Sequence, residues 1–279
     1  MSPSITVVIP VKDDADVLQR CLQSLAAQTR VADEIIVVDN GSTDASAAVA
    51  REFGARVVIQ LGGGIPAASA AGYDAASGEI IARLDADCLP PVTWLADLHR
   101  ELLAHPEAVA LTGAAHFIDG PRWLRTPLAA LYLGSYFLTM RAALGHIPLF
   151  GSNLAMRRSA WLEVKDAVHR NDPLVHDDVD LSMHLGPIRE LIFSTTLSMG
   201  ISMRPFGSLS ALIYRFRRGQ YTLTRHWPGE LPPLRYLRRA TGNASLGTSP
   251  RIFGGTSRAQ RNRYPSTAPE ARGGTVSGN

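Results

Sequence analysis

Gly78-Glu79-Ile80-Ile81-Ala82-Arg83-Leu84-Asp85-Ala86-Asp87 is the stretch on which the fold turns. An apolar run, Ile80 to Leu84, ends in two carboxylates one residue apart. Read as a strand, it delivers both acids at its C-terminal end, into the loop where open α/β sheets bind ligands. Residues i and i+2 of an extended backbone point to the same side. Asp85 and Asp87 can therefore face one hard cation, Mg²⁺ or Mn²⁺, which prefers oxygen ligands and leaves positions for phosphate. The plainer reading of the same residues is an acidic loop capping a helix that starts near Pro90.

Working outward, β-rich runs alternate with amphipathic stretches. Ile5–Ile9 reads as a buried strand, and residues 15–28 as a helix with Val17, Leu18, Cys21, Leu22 and Leu25 at helical spacing. Glu34–Asp39 is a second strand, followed by the turn-rich Asn40-Gly41-Ser42-Thr43-Asp44 and a helix through Phe53. Residues 57–59 give a third strand, 67–76 a helix and 80–84 the fourth strand. This order predicts an α/β fold, a Rossmann-like, mostly parallel sheet flanked by helices. Farther on, the pattern predicts a helix over 94–105, a strand over 108–112, and a helix over 128–144 with an irregularity at Gly134. A short strand over 149–156, a helix over 178–185 and a strand over 192–203 follow. From Thr241 the chain turns to Gly, Ser, Thr, Pro and Arg, a composition too poor in apolar residues to offset the entropy of ordering, and 241–279 is expected to be a disordered tail.

The 279 residues and 46% apolar content suit one large or two small domains with a sizeable core. Cys21 and Cys88 offer neither a disulfide framework nor a Cys-x-x-Cys metal pair, which fits a reducing, cytoplasmic setting. No basic, apolar, cleavable leader precedes Ile5. The longest uncharged apolar stretch, Thr126 to Met140, is 15 residues, short of the ~20 that span a bilayer. The expectation is a soluble or peripherally bound protein. The net charge of +3 hides an asymmetry: residues 1–203 hold 15 Lys+Arg against 23 Asp+Glu, whereas 204–239 hold 8 against 1. That basic segment suits phosphate-bearing ligands or the anionic inner face of the cell membrane, and equally a solvated face. No aromatic-basic recognition module accompanies it, so nucleic acid is not an expected partner.

Three polar clusters follow strands one, two and four: Pro10-Val11-Lys12-Asp13-Asp14, the 39–44 turn, and the 85–87 loop. Parallel strands gather their C-terminal ends on one sheet edge, so the three converge there. Alone, the 39–44 segment is a well-made turn with an N-cap. The fourth cluster is His176-Asp177-Asp178-Val179-Asp180-Leu181-Ser182 at a helix start. Acids there favour the helix dipole, but three in four positions exceed what capping needs, and one near a bound sugar can act as general base. Upstream, Gly151-Ser152-Asn153 supplies a turn and an amide.

Five pieces in this order resemble the family 2 inverting glycosyltransferases of the GT-A fold, over roughly residues 4–205: Val7-Val8-Ile9-Pro10, Val37 to Asp44, Gly78 to Asp87, Gly151 to Asn153, and His176 to Ser182. The resemblance implies a nucleotide-binding half over about 1–115 and an acceptor half over about 116–205, with 206–240 a basic helical extension. It implies a nucleotide-diphosphate sugar donor. Pro10, Val11 and Asp13 would line the nucleoside, and Asp39 or Asn40, with Ser42 beside them, would meet the base. Asp85, Ala86 and Asp87 would hold the ribose and, through Mg²⁺ or Mn²⁺ on Asp85 and Asp87, the diphosphate. Asp178 would deprotonate the hydroxyl of a sugar or lipid-linked acceptor, with Gly151, Ser152, Asn153 and Asp177 on the acceptor side. The chain departs from the family pattern at Asp39-Asn40, where Asp-Asp is frequent, at Ser69-Ala70, where Arg-Asn is usual, and at Asp177-Asp178, where Glu-Asp is usual. The spanning helices and Gln-x-x-Arg-Trp motif of processive synthases are missing, which favours transfer of a single sugar. A sugar nucleotidyltransferase would want a Gly-rich phosphate loop after strand one, and this chain has Pro10 to Asp14 there. A degenerate glycosyltransferase-like binding module is the non-enzymatic alternative.

Overall fold

The runs rich in Val, Ile and Ala that alternate along the first half form the strands of a single sheet. The computed structural model describes residues 2–187 and 189–241. Seven strands, β1 (Ile5–Val11), β2 (Glu34–Asp39), β3 (Arg56–Ile59), β4 (Ile80–Arg83), β5 (Ala108–Phe117), β6 (Leu154–Arg157) and β7 (Glu190–Ile201), lie in the order β3-β2-β1-β4-β6-β5-β7. All neighbouring pairs are parallel except the two made by β6, which is antiparallel to both β4 and β5. That one reversal positions the site. It brings the residues before β6 to the edge where β1, β2 and β4 end, since Leu154 pairs with Arg83.

Side chains alternate across the sheet, so both faces carry a core. Val7, Ile9 and Val11 of β1 join Leu18, Leu22 and Leu25 of α1 (Ala15–Ala26) and Trp94, Leu95 and Leu98 of α4 (Trp94–Ala104). Val8 points the other way, toward Ala68 and Tyr73 of α3 (Gly64–Ala75), Trp161 of α6 (Arg158–Val164) and Leu181 of α7 (Asp177–Leu185). The α3 helix lies so close that a Cβ on Gly72 would come 2.3 Å from Val8 Cγ1. Helix α2 (Ser46–Glu52) completes the alternation between β2 and β3.

The second half departs from expectation in detail. Helix α5 (Arg122–Leu144) begins six residues early and passes unbroken through Gly134, with Pro127 inside it. A proline so near the N-terminus removes one intrahelical bond, and the helix ends on Gly145 at φ 76°. Strand β6 starts at Leu154 rather than 149, because the Asn153 amide donates to Phe150 O at 2.8 Å and closes a turn there. The basic segment is helical, as α8 (Leu209–Arg225) and α9 (Pro232–Ala240), entered through a 3-10 turn at Arg204–Phe206. Helix α8 packs on α7, and α9 on α5. The chain divides into one unit, Met1–Gly247, and a stretch, Thr248–Asn279. Beyond Thr241, the tail expected to be disordered lies outside the described residues.

Candidate active site

The loops that end β1 and β2 are laced together by side chains. The Asp13 carboxylate accepts from the Thr43 amide (2.6 Å) and hydroxyl (3.0 Å), and the Asp13 amide donates to Ser42 Oγ. Asp44 accepts from the Ala15 amide. Asp13 sits at φ 52°, a strained value for a residue other than glycine, and hydrogen bonds from Thr43 hold its carboxyl below the usual range. Asp39 is buried and accepts the Ser42 amide at 2.8 Å, the capped turn that its neighbours suggest. Asn40 differs: its side-chain carbonyl oxygen is buried without a hydrogen-bond partner. Pro10 and Val11 are buried strand residues, and Val11 O accepts the Asn40 amide.

Asp85 and Asp87 do converge, through a different backbone from the one expected. Strand β4 stops at Arg83, and residues 85–88 form a turn closed by the Cys88 amide on Asp85 O. The turn, not an extended i, i+2 pair, brings donor atoms of Asp85, Asp87 and Cys88 within 4.8 Å of one another. Ala86 between them is buried. Burial, with Asp85 and Asp87 adding to it, raises the Cys88 thiol well above its ordinary value, so it stays protonated and is no ligand for a hard ion. Two carboxylates fit Mg²⁺ or Mn²⁺ with the remaining positions left to phosphate and water. Both carboxylates already have cationic partners. Burial, then the charge of Asp85, raises Asp87 above the usual range, and Arg204 opposes this from 2.8 Å. The same guanidinium reaches Asp14 at 2.7 Å, tying the 3-10 turn to the β1 loop.

Arg83 is the centre of the site. It is 3% exposed, lies 2.9 Å from Asp85 and 3.4 Å from Asp177, and its Nε has no hydrogen-bond partner. Burial works against its charge, but Asp177 and Asp85 outweigh burial and hold it as a cation. Gly151 makes room for it, since a Cβ there would fall 1.6 Å from Arg83 Nη1. The Gly151 amide donates to Asp178 Oδ2 at 2.8 Å, and Ser152 Oγ donates to Asp85 Oδ2 at 2.5 Å. Asp177 accepts from Ser69 Oγ at 2.8 Å, so the serine in place of the usual arginine of α3 binds the acid that Arg83 also holds. The guanidinium on that acid comes from Arg83 of β4. Asn153 turns inward: its amide donates to Ala114 O and accepts from Trp94 Nε1, which braces the turn from within. Asp178 has its carboxyl raised by burial first, then by Asp177, against the Gly151 hydrogen bond and Arg83.

Sequence reasoning missed Arg83 and Arg204. A lone arginine inside the apolar run 80–84 was the available signal for the first: a charge in a buried strand needs partners. Arg204, 117 residues from Asp87, carried no local sign.

Residues 6–164, more than half of the chain, match the family described as Glycosyl transferase family 2. The chain belongs to that family. It is 37% identical to Glycosyltransferase AglE of Haloferax volcanii over 101 residues, 33% of each chain. It is 35% identical to the uncharacterized glycosyltransferase Mb0553 of Mycobacterium bovis over 120 residues, 43% of this chain and 52% of that one. The chain thus spans about a third to a half of these relatives' lengths. Among solved structures it is similar to the mannosyltransferase PcManGT from Pyrobaculum calidifontis in complex with GDP-Man and Mn²⁺, with a TM-score of 0.63 and 20% identity over 88% of this chain and 71% of that one. It is also similar to glucosyl-3-phosphoglycerate synthase from Mycobacterium tuberculosis in complex with Mn²⁺ and UDP-Glc, with a TM-score of 0.56 and 23% identity over 80% and 78%. At these identities the likeness establishes the GT-A fold.

Proposed function

We propose that this glycosyltransferase moves a single sugar from a nucleoside-diphosphate sugar to an acceptor hydroxyl, with inversion at the anomeric carbon. One observation carries the reading. Asp178, a carboxyl whose pKa burial raises, is joined through Gly151 and Arg83 to Asp85 at the edge where Asp39 and Asn40 also emerge. A raised pKa suits a general base, because proton transfer is most effective when the base is matched to the working pH. Asp178 takes the proton of the acceptor hydroxyl as that oxygen bonds to the anomeric carbon. The bond from this carbon to the diphosphate oxygen breaks, and its electron pair leaves with the nucleotide. Arg83 holds Asp85 and Asp177 in register, keeping donor and acceptor sides at a fixed spacing. The partnerless Asn40 oxygen accepts an N–H of the base, while Asp13, Asp39 and Ser42 fix the loops that frame the nucleoside. Asp85 and Asp87 would hold Mg²⁺ or Mn²⁺, which would neutralise charge on the diphosphate. On the acceptor side stand Gly151, Ser152 and Asp177.

The GDP-Man and UDP-Glc held by the two structural neighbours support a GDP- or UDP-linked hexose as donor. For the acceptor, a lipid-linked sugar at an anionic membrane face is favoured by the surface. No described helix is long and apolar enough to cross a membrane. Yet Trp123, Leu131 and Leu138 on α5 and Phe216 on α8 are all at least two-thirds exposed, beside the arginines of α8 and α9. Such a mix suits peripheral docking.

The test is a panel of nucleotide sugars, scored for thermal stabilisation with Mn²⁺ present and then for nucleotide release with acceptor. A UDP- or GDP-hexose that raises Tm and is consumed is expected. A donor that binds and is never turned over would favour the degenerate binding module, and no stabilising donor at all would sink the proposal.

A further inference from the structure

Four metal-ligating side chains meet on the face of α7 away from Asp178. Residues 178 and 180 of a helix point about 200° apart, whereas 180 and 184 share one face. Asp180 and His184 are joined there by His169, from the segment before α7, and by His226, the residue that caps α8. Their donor atoms lie within 4.8 Å of one another. The imidazole centroids are separated by 4.8, 5.2 and 5.9 Å. A tetrahedral ion bound at ~2.05 Å to each nitrogen would set ring centres about 5.2 Å apart. The rings therefore stand near the spacing that one small ion would impose.

Hydrogen bonding leaves two of these imidazole nitrogens available as ligands. His226 Nδ1 is 2.8 Å from Thr222 O, an atom that only accepts, so Nδ1 carries the hydrogen. In the neutral ring, Nε2 then offers a lone pair. That nitrogen is buried, on a side chain 5% exposed, and lies 3.1 Å from Asp180 Oδ1 without making a hydrogen bond. His184 Nε2 is likewise buried, unpaired and 3.7 Å from the same oxygen. A cation between these two nitrogens and Asp180 Oδ1 would give each of them a partner. Asp180 Oδ2 accepts the His169 backbone amide at 2.8 Å, which orients the carboxylate and leaves Oδ1 for the ion. His169 Nδ1 lies 2.8 Å from the same Oδ1.

We propose that His169, Asp180, His184 and His226 form a structural zinc site that ties the end of α8 to the helix bearing Asp177 and Asp178. Three imidazoles and one carboxylate suit a borderline ion such as Zn²⁺, whereas Mg²⁺ and Mn²⁺ prefer the all-oxygen set at Asp85 and Asp87. Four protein ligands close the shell, which is the pattern of a structural site rather than a catalytic one. The site stands whether or not Asp178 is the general base.

The test uses the full chain, stripped with a chelator and titrated with Zn²⁺ against a colorimetric indicator, then with Co²⁺ as a spectroscopic substitute. Expected are one tightly held Zn²⁺ per chain, a rise in Tm on adding Zn²⁺, and the intense visible bands of tetrahedral cobalt. Asp87→Asn keeps all three; His184→Ala and His226→Ala lose the zinc and the bands. The unmutated chain decides the matter even if a histidine variant fails to fold. No stoichiometric zinc, a weak octahedral cobalt spectrum, or zinc retained in His184→Ala would each overturn the proposal.

Discussion

Replacing Arg83 with methionine keeps the aliphatic bulk of a side chain that is 3% exposed and deletes its charge. Asp85 and Asp177 lose their shared counter-ion, and Asp178 loses a nearby positive charge. Removing one partner of a buried ion pair costs about 3–5 kcal/mol. Two features place this case at the low end. Asp85 is 36% exposed and therefore screened, and Arg83 Nε has no partner whose loss would add to the cost. The expected loss is about 3 kcal/mol, or roughly 6–12 °C in Tm for a domain of this size. Urea unfolding followed by the fluorescence of buried Trp94 and Trp161 reads it. A loss under about 0.5 kcal/mol, the range of neutral surface changes, would refute the central place given to Arg83. The pH profile supplies an independent readout. Burial and Asp177 hold the Asp178 carboxyl above its ordinary 3.8. Its contribution to stability is therefore full below that value and declines as pH rises through the folded pKa. The proposed base acts in its ionised form, so activity is expected to fail on the acid side along a limb displaced upward. Arg83→Met displaces that limb farther up, and an unmoved limb in a folded, active variant would contradict the network.

Arg204→Ala tests the competition at Asp87. The guanidinium is half exposed, so its ion pair with Asp87 is worth at most about 1 kcal/mol, and Mn²⁺ without nucleotide should bind up to about fivefold tighter in the variant. Weaker Mn²⁺ binding, read by electron paramagnetic resonance titration, would mean that Arg204 supports the ion rather than displacing it. The exposed aromatic and arginine surface of α5 and α8 predicts co-sedimentation with anionic vesicles that weakens as salt rises and is lost on neutral ones. Sedimentation indifferent to both lipid charge and salt would contradict it.

The first half of the chain was legible because short, mostly apolar strands alternate with helices whose buried residues recur at helical spacing. Val7, Val8 and Ile9 sort to two faces by alternation alone, and the acids after β4 fall where a parallel sheet must deliver them. What escaped the sequence depends on contacts between distant residues. The antiparallel β6 is too short to announce its direction, yet it sets Gly151 and Ser152 beside Asp178 and Asp85. That Ser69 and Arg83 meet on the same acid, Asp177, is likewise invisible in the sequence. The histidines at 169, 184 and 226 show no metal-site spacing, since α7 and α8 bring them together across the fold.

Asp178→Asn is the most direct test, because it removes the proposed base and leaves the donor site alone. Transfer should fall by about 10²–10⁴-fold, the usual contribution of general-base catalysis. Mn²⁺-dependent binding of the nucleotide sugar, measured by calorimetry on the same preparation, should stay within about twofold of the unmutated chain. Full turnover by the variant would contradict the assignment of Asp178 as the base.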